Sequence, residues 1–236
     1  MTMMKRRQAI LLLLCILASV VVARAGWWGG DDHDHHHHDH DHDDHHSAGQ
    51  EMVTCGSMIK LRHVPTGFRL HSHQVAYGSG SGQQSVTGVA SADDHNSFWI
   101  VRAANGKRCQ QGDRINNGDV IRLQHYATRL NLHSHYHASP LSKQQEVSAY
   151  GPDGNGDDSD NWVVLTEGSP VWLRSQPVAF KHEATNSYLH SHDMKYRQPI
   201  AGQQEVTAVP GKNANCRWIT EEGIYFPERE QVATKE

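Results

Sequence analysis

The sequence has no surplus of positive charge. Across 236 residues, 22 Lys and Arg stand against 26 Asp and Glu, a formal net of −4. That disfavours a nucleic-acid binder, which needs a basic footprint to neutralise phosphates, and equally a polybasic membrane-surface protein. Beyond residue 25 no apolar run approaches the roughly 20 residues that span hydrocarbon, so no membrane span is expected in the mature chain. Enzyme signatures are missing: there is no Gly-x-Ser-x-Gly, no Gly-rich phosphate loop and no His-Glu-x-x-His. The adjacent acidic pairs Asp93-Asp94 and Asp157-Asp158 read as turn formers rather than as acid/base machinery. The expectation is a non-enzyme. No Asn-x-Ser/Thr sequon occurs, cysteine is limited to four residues, and helical periodicity is absent.

Histidine is abundant instead, with 20 residues, as many as glycine. Nine of them (His33, His35, His36, His37, His38, His40, His42, His45 and His46) fall in a block, 31–46, made only of Asp and His. A block with no apolar residue and no period predicts a disordered tail over 26–50. Imidazoles mixed with seven carboxylates predict weak zinc, nickel or copper binding without fixed geometry; no cofactor is required. Ahead of it, Lys5-Arg6-Arg7, an apolar run to Val22 and Ala23-Arg24-Ala25 read as a secretory signal peptide over 1–25. The remainder, from Ser47, carries 18 basic and 19 acidic residues, close to neutral and large enough for a real core.

An internal repeat organises that remainder. Leu70-His71-Ser72-His73 recurs as Leu132-His133-Ser134-His135 and Leu189-His190-Ser191-His192. Upstream, Leu61-Arg62-His63 aligns with Leu123-Gln124-His125 and Phe180-Lys181-His182. Downstream, Gln83-Gln84-Ser85-Val86 aligns with Gln144-Gln145-Glu146-Val147 and Gln203-Gln204-Glu205-Val206, and Trp99, Trp162 and Trp218 close the copies. Alternating apolar positions such as Ile59, Leu61 and His63, followed by the turns 65–67, 127–129 and 184–186, predict hairpins. Such units cannot each bury a core alone. With only three and no capping repeats, closure about a threefold axis leaves no unpaired sheet edge, unlike an open array. The predicted class is all-β, a β-trefoil with four strands per unit, one domain over 51–226 (repeats near 53–108, 115–170 and 173–226), then a flexible 227–236. The recurring tryptophans read as core rather than as sugar platforms. Of the cysteines left after the leader, spacing alone fixes no pair. The repeat places Cys55 before the first strand and Cys109 in the connection to unit two, which favours their bridging and leaves Cys216 free.

In each Leu-His-Ser-His segment the two imidazoles lie two residues apart on one strand face. They could chelate a metal or donate to a sugar hydroxyl or peptide carbonyl. Stitching a hairpin to its neighbour is the commoner use, and recurrence in all three copies favours it. The Gln-Gln amides likewise can grip a glycan or cap turns.

The triplicated Leu-His-Ser-His and Gln-Gln-Glu-Val pair resembles the MIR domain, shared by protein O-mannosyltransferases and by inositol trisphosphate and ryanodine receptors. Val53-Thr-Cys-Gly-Ser57, the stretch from Tyr77 to Gly88, and Glu222-Gly-Ile224 are similar to segments of the stand-alone stromal cell-derived factor 2 family. Taken as MIR repeats, the three copies imply a β-trefoil. The resemblance implies a non-enzymatic role in endoplasmic reticulum quality control. Luminal heat-shock-type chaperones, J-domain cochaperones, and unfolded or O-mannosylated clients are the implied partners. It also points to His71, His73, Gln83, Gln84, His133, His135, Gln144, Gln145, His190, His192, Gln203 and Gln204 as the presumed ligand-binding region. Two departures stand out: the chain ends Ala233-Thr-Lys-Glu236 rather than in a retrieval tetrapeptide, and the Asp/His block is not a family feature. The first leaves export beside luminal retention. Carbohydrate binding and metal buffering by the tail are the competing functions.

Overall fold

Each alternating segment ahead of a Thr-containing turn forms a strand, and each Leu-His-Ser-His segment forms the strand that returns from it. The computed structural model describes residues 52–230. The expected leader, the Asp/His tail with its nine histidines, and residues 231–236 lie outside them. Unit one contains β1 (Met58–His63), β2 (Arg69–Ala76), β3 (Gln84–Val89) and β4 (Trp99–Ala103). Unit two contains β5 (Val120–His125), β6 (Asn131–Ala138), β7 (Gln145–Tyr150) and β8 (Trp162–Thr166). Unit three contains β9 (Val178–His182), β10 (Tyr188–Lys195), β11 (Gln204–Val209) and β12 (Trp218–Ile224). Four short 3-10 turns, and no α-helix, occur among the described residues, so none holds a helix long and apolar enough to cross a membrane.

The pairings close two rings, and all are antiparallel. The first and fourth strands of the units form a barrel: β1–β4, β4–β5, β5–β8, β8–β9, β9–β12 and β12–β1. The hairpins β2–β3, β6–β7 and β10–β11 cap it, joined in a triangle by β3–β7, β7–β11 and β11–β3. Every strand is paired, which removes the edge problem of an open array. The chain is all-β and its fold is a β-trefoil.

The repeat positions build the core. Leu70, Leu132 and Leu189, Val86, Val147 and Val206, and Trp99, Trp162 and Trp218 are all fully buried. Each tryptophan ring also finds a polar partner, its Nε1–H donating to the carbonyl of Leu70 (3.0 Å), Leu132 (2.9 Å) or Leu189 (3.2 Å) of its own unit. A buried indole needs such an acceptor, so recurrence of the residue and recurrence of the bond have one cause. Cys55 is bonded to Cys109, their Cα atoms 6.3 Å apart, and Cys216 is a buried free thiol. After β12, Arg229 N donates to Gly112 O at 2.9 Å and Glu228 pairs with Arg114, so residues 227–230 lie along the connection between units one and two.

Candidate functional site

Turn chemistry positions the recurrent polar residues. The residue ending each β-turn is left-handed: Gly67 (φ 75°), Arg129 (φ 63°) and Asn186 (φ 58°). The residue immediately before it is a threonine that reaches the histidine closing the preceding strand. His63, His125 and His182 are fully buried. Their Nδ1 atoms lie 2.8, 2.8 and 2.9 Å from the hydroxyls of Thr66, Thr128 and Thr185. Their Nε2 atoms lie 2.8, 2.9 and 2.8 Å from the carbonyls of Asn215, Asn96 and Ser159. A carbonyl only accepts, so each Nε2 carries the proton. Burial lowers the pKa of all three rings, against the pull of those carbonyl bonds.

From each threonine the network crosses to another unit. Gln84 Nε2 donates both to Ser72 Oγ of its own hairpin (2.7 Å) and to Thr128 Oγ1 of unit two (3.0 Å). Gln145 does the same to Ser134 (2.7 Å) and Thr185 of unit three (2.8 Å). Between units three and one, Thr66 Oγ1 meets Gln204 Oε1 at 2.8 Å, and a 180° turn of that amide reproduces the sister copies. The serines Ser72, Ser134 and Ser191 donate to the carbonyls of Ser85, Glu146 and Glu205. The preceding glutamines close a second ring: Gln83 Oε1 accepts from Ser148 Oγ (2.5 Å), Gln144 from Thr207 (2.6 Å) and Gln203 from Thr87 (2.5 Å). All six glutamines therefore bond into a neighbouring unit.

The six His-Ser-His imidazoles differ between copies. In units two and three the outer ring pairs with a fully buried glutamate: His135 Nε2 with Glu146 Oε1, and His192 Nε2 with Glu205 Oε2, both 3.0 Å. Glu146 also accepts from Ser81 N and Oγ, and Glu205 from Leu141 N (2.7 Å) and Ser142 N (3.0 Å), so each carboxylate clamps the preceding unit's loop. Burial pushes the Glu205 carboxyl up, but the bonds from His192, Ser142 and Leu141 together outweigh it and hold it at about 2. Unit one has Ser85 in this place, its hydroxyl buried without a partner among the described residues, and His73 Nδ1 meets His71 Nε2 at 2.7 Å. The inner rings are buried. His71 faces Asp94 Oδ1 at 3.6 Å, His133 Nδ1 donates to Asp160 Oδ1 at 2.8 Å, and His190 Nδ1 lies 3.2 Å from Thr207 Oγ1. Burial lowers His71 and His190 to about 4.

Of the twelve positions singled out by sequence, the six glutamines form a belt of bonds between units, while the six imidazoles are bonded within their own units. Glu146, Glu205 and the three threonines belong to the same belt and were not among them. The signal available was the Gln-Gln-Glu-Val motif itself, whose acidic residue lies on a strand of a packed cap. Asp94 and Asp157 do cap turns, accepting from Asn96 N and Ser159 N at 2.8 Å, as Asn213 does from Asn215 N. On the surface of unit two, His135, Tyr136 and His137 line an open hollow of about 380 Å³, with Tyr136 83% exposed.

Comparison with known proteins gives consistent matches. Residues 69–220 match the family described as the MIR domain. A "stromal cell-derived factor 2-like protein" of Dictyostelium discoideum is 54% identical over 181 residues, 75% of this chain and 85% of that protein. The crystal structure of the SDF2-like protein from Arabidopsis thaliana superposes with a TM-score of 0.74 at 51% identity, covering 76% of this chain and 99% of that one. The S. cerevisiae protein O-mannosyltransferase Pmt1–Pmt2 complex bound to the sugar donor is similar at 34% identity and TM-score 0.67, over 74% of this chain and 26% of that one.

Proposed function

This chain belongs to the MIR domain family, among its stromal cell-derived factor 2 members, and from that premise we propose that it is a non-enzymatic factor of the endoplasmic reticulum lumen. Its task is protein folding quality control, as an adaptor or co-chaperone for luminal heat-shock-type chaperones and J-domain proteins. The observation that carries this reading is the use made of the triplicated motif. Its glutamines bond across units, its serines tie each hairpin together, and its inner imidazoles are buried. A trefoil whose recurrent polar groups serve its own closure offers partners its outer surface, which suits an adaptor better than a catalyst. Affinity purification of the intact chain from the secretory pathway, with and without 26–50, tests it. Recovery of a luminal heat-shock-type chaperone together with a J-domain protein from both forms supports the adaptor role. Reproducible purification with neither partner overturns it.

A second reading, binding of a mannosyl glycan or glycopeptide, has one observation in its favour. Tyr136 projects from unit two between His135 and His137, a flat aromatic face beside two imidazoles. Binding of mannosyl peptides that Tyr136→Ala abolishes supports it, and a blank glycan array counts against it. The third, metal buffering, rests on 31–46 alone and is separated from both by deleting that block.

A further inference from the structure

Unit two carries a group that its sister units do without. Asp160 is fully buried, yet the equivalent residues are Ser97 in unit one and Cys216 in unit three. The trefoil closes with a hydroxyl or a thiol there, so the fold does not require a carboxylate. Burying one is costly unless opposite charge or several hydrogen bonds surround it. Asp160 Oδ2 accepts from Asp157 N (2.8 Å) and Asn131 Nδ2 (3.3 Å), while Oδ1 faces His133 Nδ1 at 2.8 Å. Asp157 Oδ1 lies 3.8 Å from the same nitrogen, and one ligand atom from each of the three residues fits within 4.8 Å.

Two further observations bear on this cluster. Asn131, 1% exposed, turns its amide onto Asp160, and the amide's Oδ1 is buried with no partner among the described residues. The loop that passes over the carboxylate is glycine at 156 by necessity, because a Cβ there would collide with Asp160 Oδ2 and Arg122 Nη1. The same loop is longer than in the sister units, inserting a Pro-Asp-Gly turn (Pro152–Gly154) ahead of Asp157.

The geometry points to a divalent metal site formed by His133 Nδ1, Asp160 Oδ1 and Asp157 Oδ1, filled by a cation of the zinc class. With ligand distances of about 2.1 Å, separations of 2.8 and 3.8 Å correspond to ligand angles of roughly 85° and 130°, within reach of a four- or five-coordinate ion. One imidazole with carboxylates suits zinc, whereas calcium takes six to eight oxygens. Binding puts the metal in place of the Nδ1 hydrogen, so that proton leaves Nδ1 and the neutral ring carries its single proton on Nε2 instead. Asp157 is 55% exposed in its side chain, which gives the ion a route in. None of its three ligands belongs to the Asp/His block, and their geometry is set by the fold.

The sister units supply the test variants. Asp157→Asn copies Asn213, which caps its own turn, and Asp160→Ser copies Ser97. The experiment is a zinc titration by calorimetry, with a parallel thermal melt. It uses the full-length chain with the nine block histidines replaced by serine, so that the block does not compete. One zinc per chain, a rise in Tm with zinc, and at least tenfold weaker binding in Asp157→Asn support the site. If Asp160→Ser fails to fold, Asp157→Asn decides alone. No zinc uptake, equal affinity in the Asp157→Asn variant, or calcium preferred over zinc overturns it.

Discussion

Lys143 stands at φ 64° where the other two units place glycine, Gly82 at φ 69° and Gly202 at φ 83°. An L side chain in that conformation costs of order 1–2 kcal/mol, and the Lys143 ammonium gains only an exposed bond to Pro140 O. Lys143→Gly is expected to stabilise the protein by roughly 0.5–1 kcal/mol after the added unfolded-state entropy, read as a higher urea midpoint at unchanged slope. Titrating groups make a second prediction. His71 and His190 ionise at about 4 in the fold, below the usual 6.5, so the unfolded chain takes up protons first. Stability is therefore full above pH 6.5 and is lost as pH falls toward 4. Glu205, at about 2 rather than 4.5, removes more between 4.5 and 2. Urea midpoints at pH 7, 5 and 3 should decline throughout, and His190→Gln should flatten the upper window by roughly 2 kcal/mol. A profile unchanged in that variant refutes the assignment.

Among the elements, the joints between units decide the energetics. Gln145 lies 40 residues from Thr185 in sequence yet donates to it at 2.8 Å, while holding Ser134 of its own hairpin. Removing either side leaves half-buried polar groups unpaired, at about 1 kcal/mol. A double-mutant cycle with Gln145→Ala and Thr185→Val should give a coupling of roughly 0.5–1.5 kcal/mol, measured by denaturant unfolding. The strands and hairpins were legible in the sequence because alternation, turn residues and tryptophan spacing are local. The partners of the recurrent histidines and glutamines were not. Recurrence says that a residue matters in every unit, but its hydrogen-bond partner lies in the next one, and nothing in the spacing says which. His135 and His192 meet glutamates on the facing strand of their own hairpin, 11 and 13 residues on, a pairing set by strand register rather than by the motif.

For the whole molecule, threefold closure followed from counting the repeats, whereas what its breaks in symmetry do appears only in three dimensions. Ser85 and Asp160 each stand where their sister residues differ: the first leaves His73 paired with His71 rather than a glutamate, and the second gives His133 a buried carboxylate. The Cys55–Cys109 bond also operates at this scale. It encloses a 54-residue separation, for which chain entropy gives about 4 kcal/mol. Cys109→Ser should cost about 2–4 kcal/mol, and a digest run without reductant should show this pair joined and Cys216 unpaired.

Ring closure has a consequence for synthesis. Leu61 in β1 pairs with Thr220 in β12, and His63 with Trp218. A ribosome adding roughly 5–20 residues per second needs on the order of 10–30 s to make the intervening chain. For that interval the first strand emerges without the neighbour that will cover it, and the barrel cannot form around an incomplete third unit. Each newly made copy of this protein therefore spends part of its own birth as an unfinished sheet.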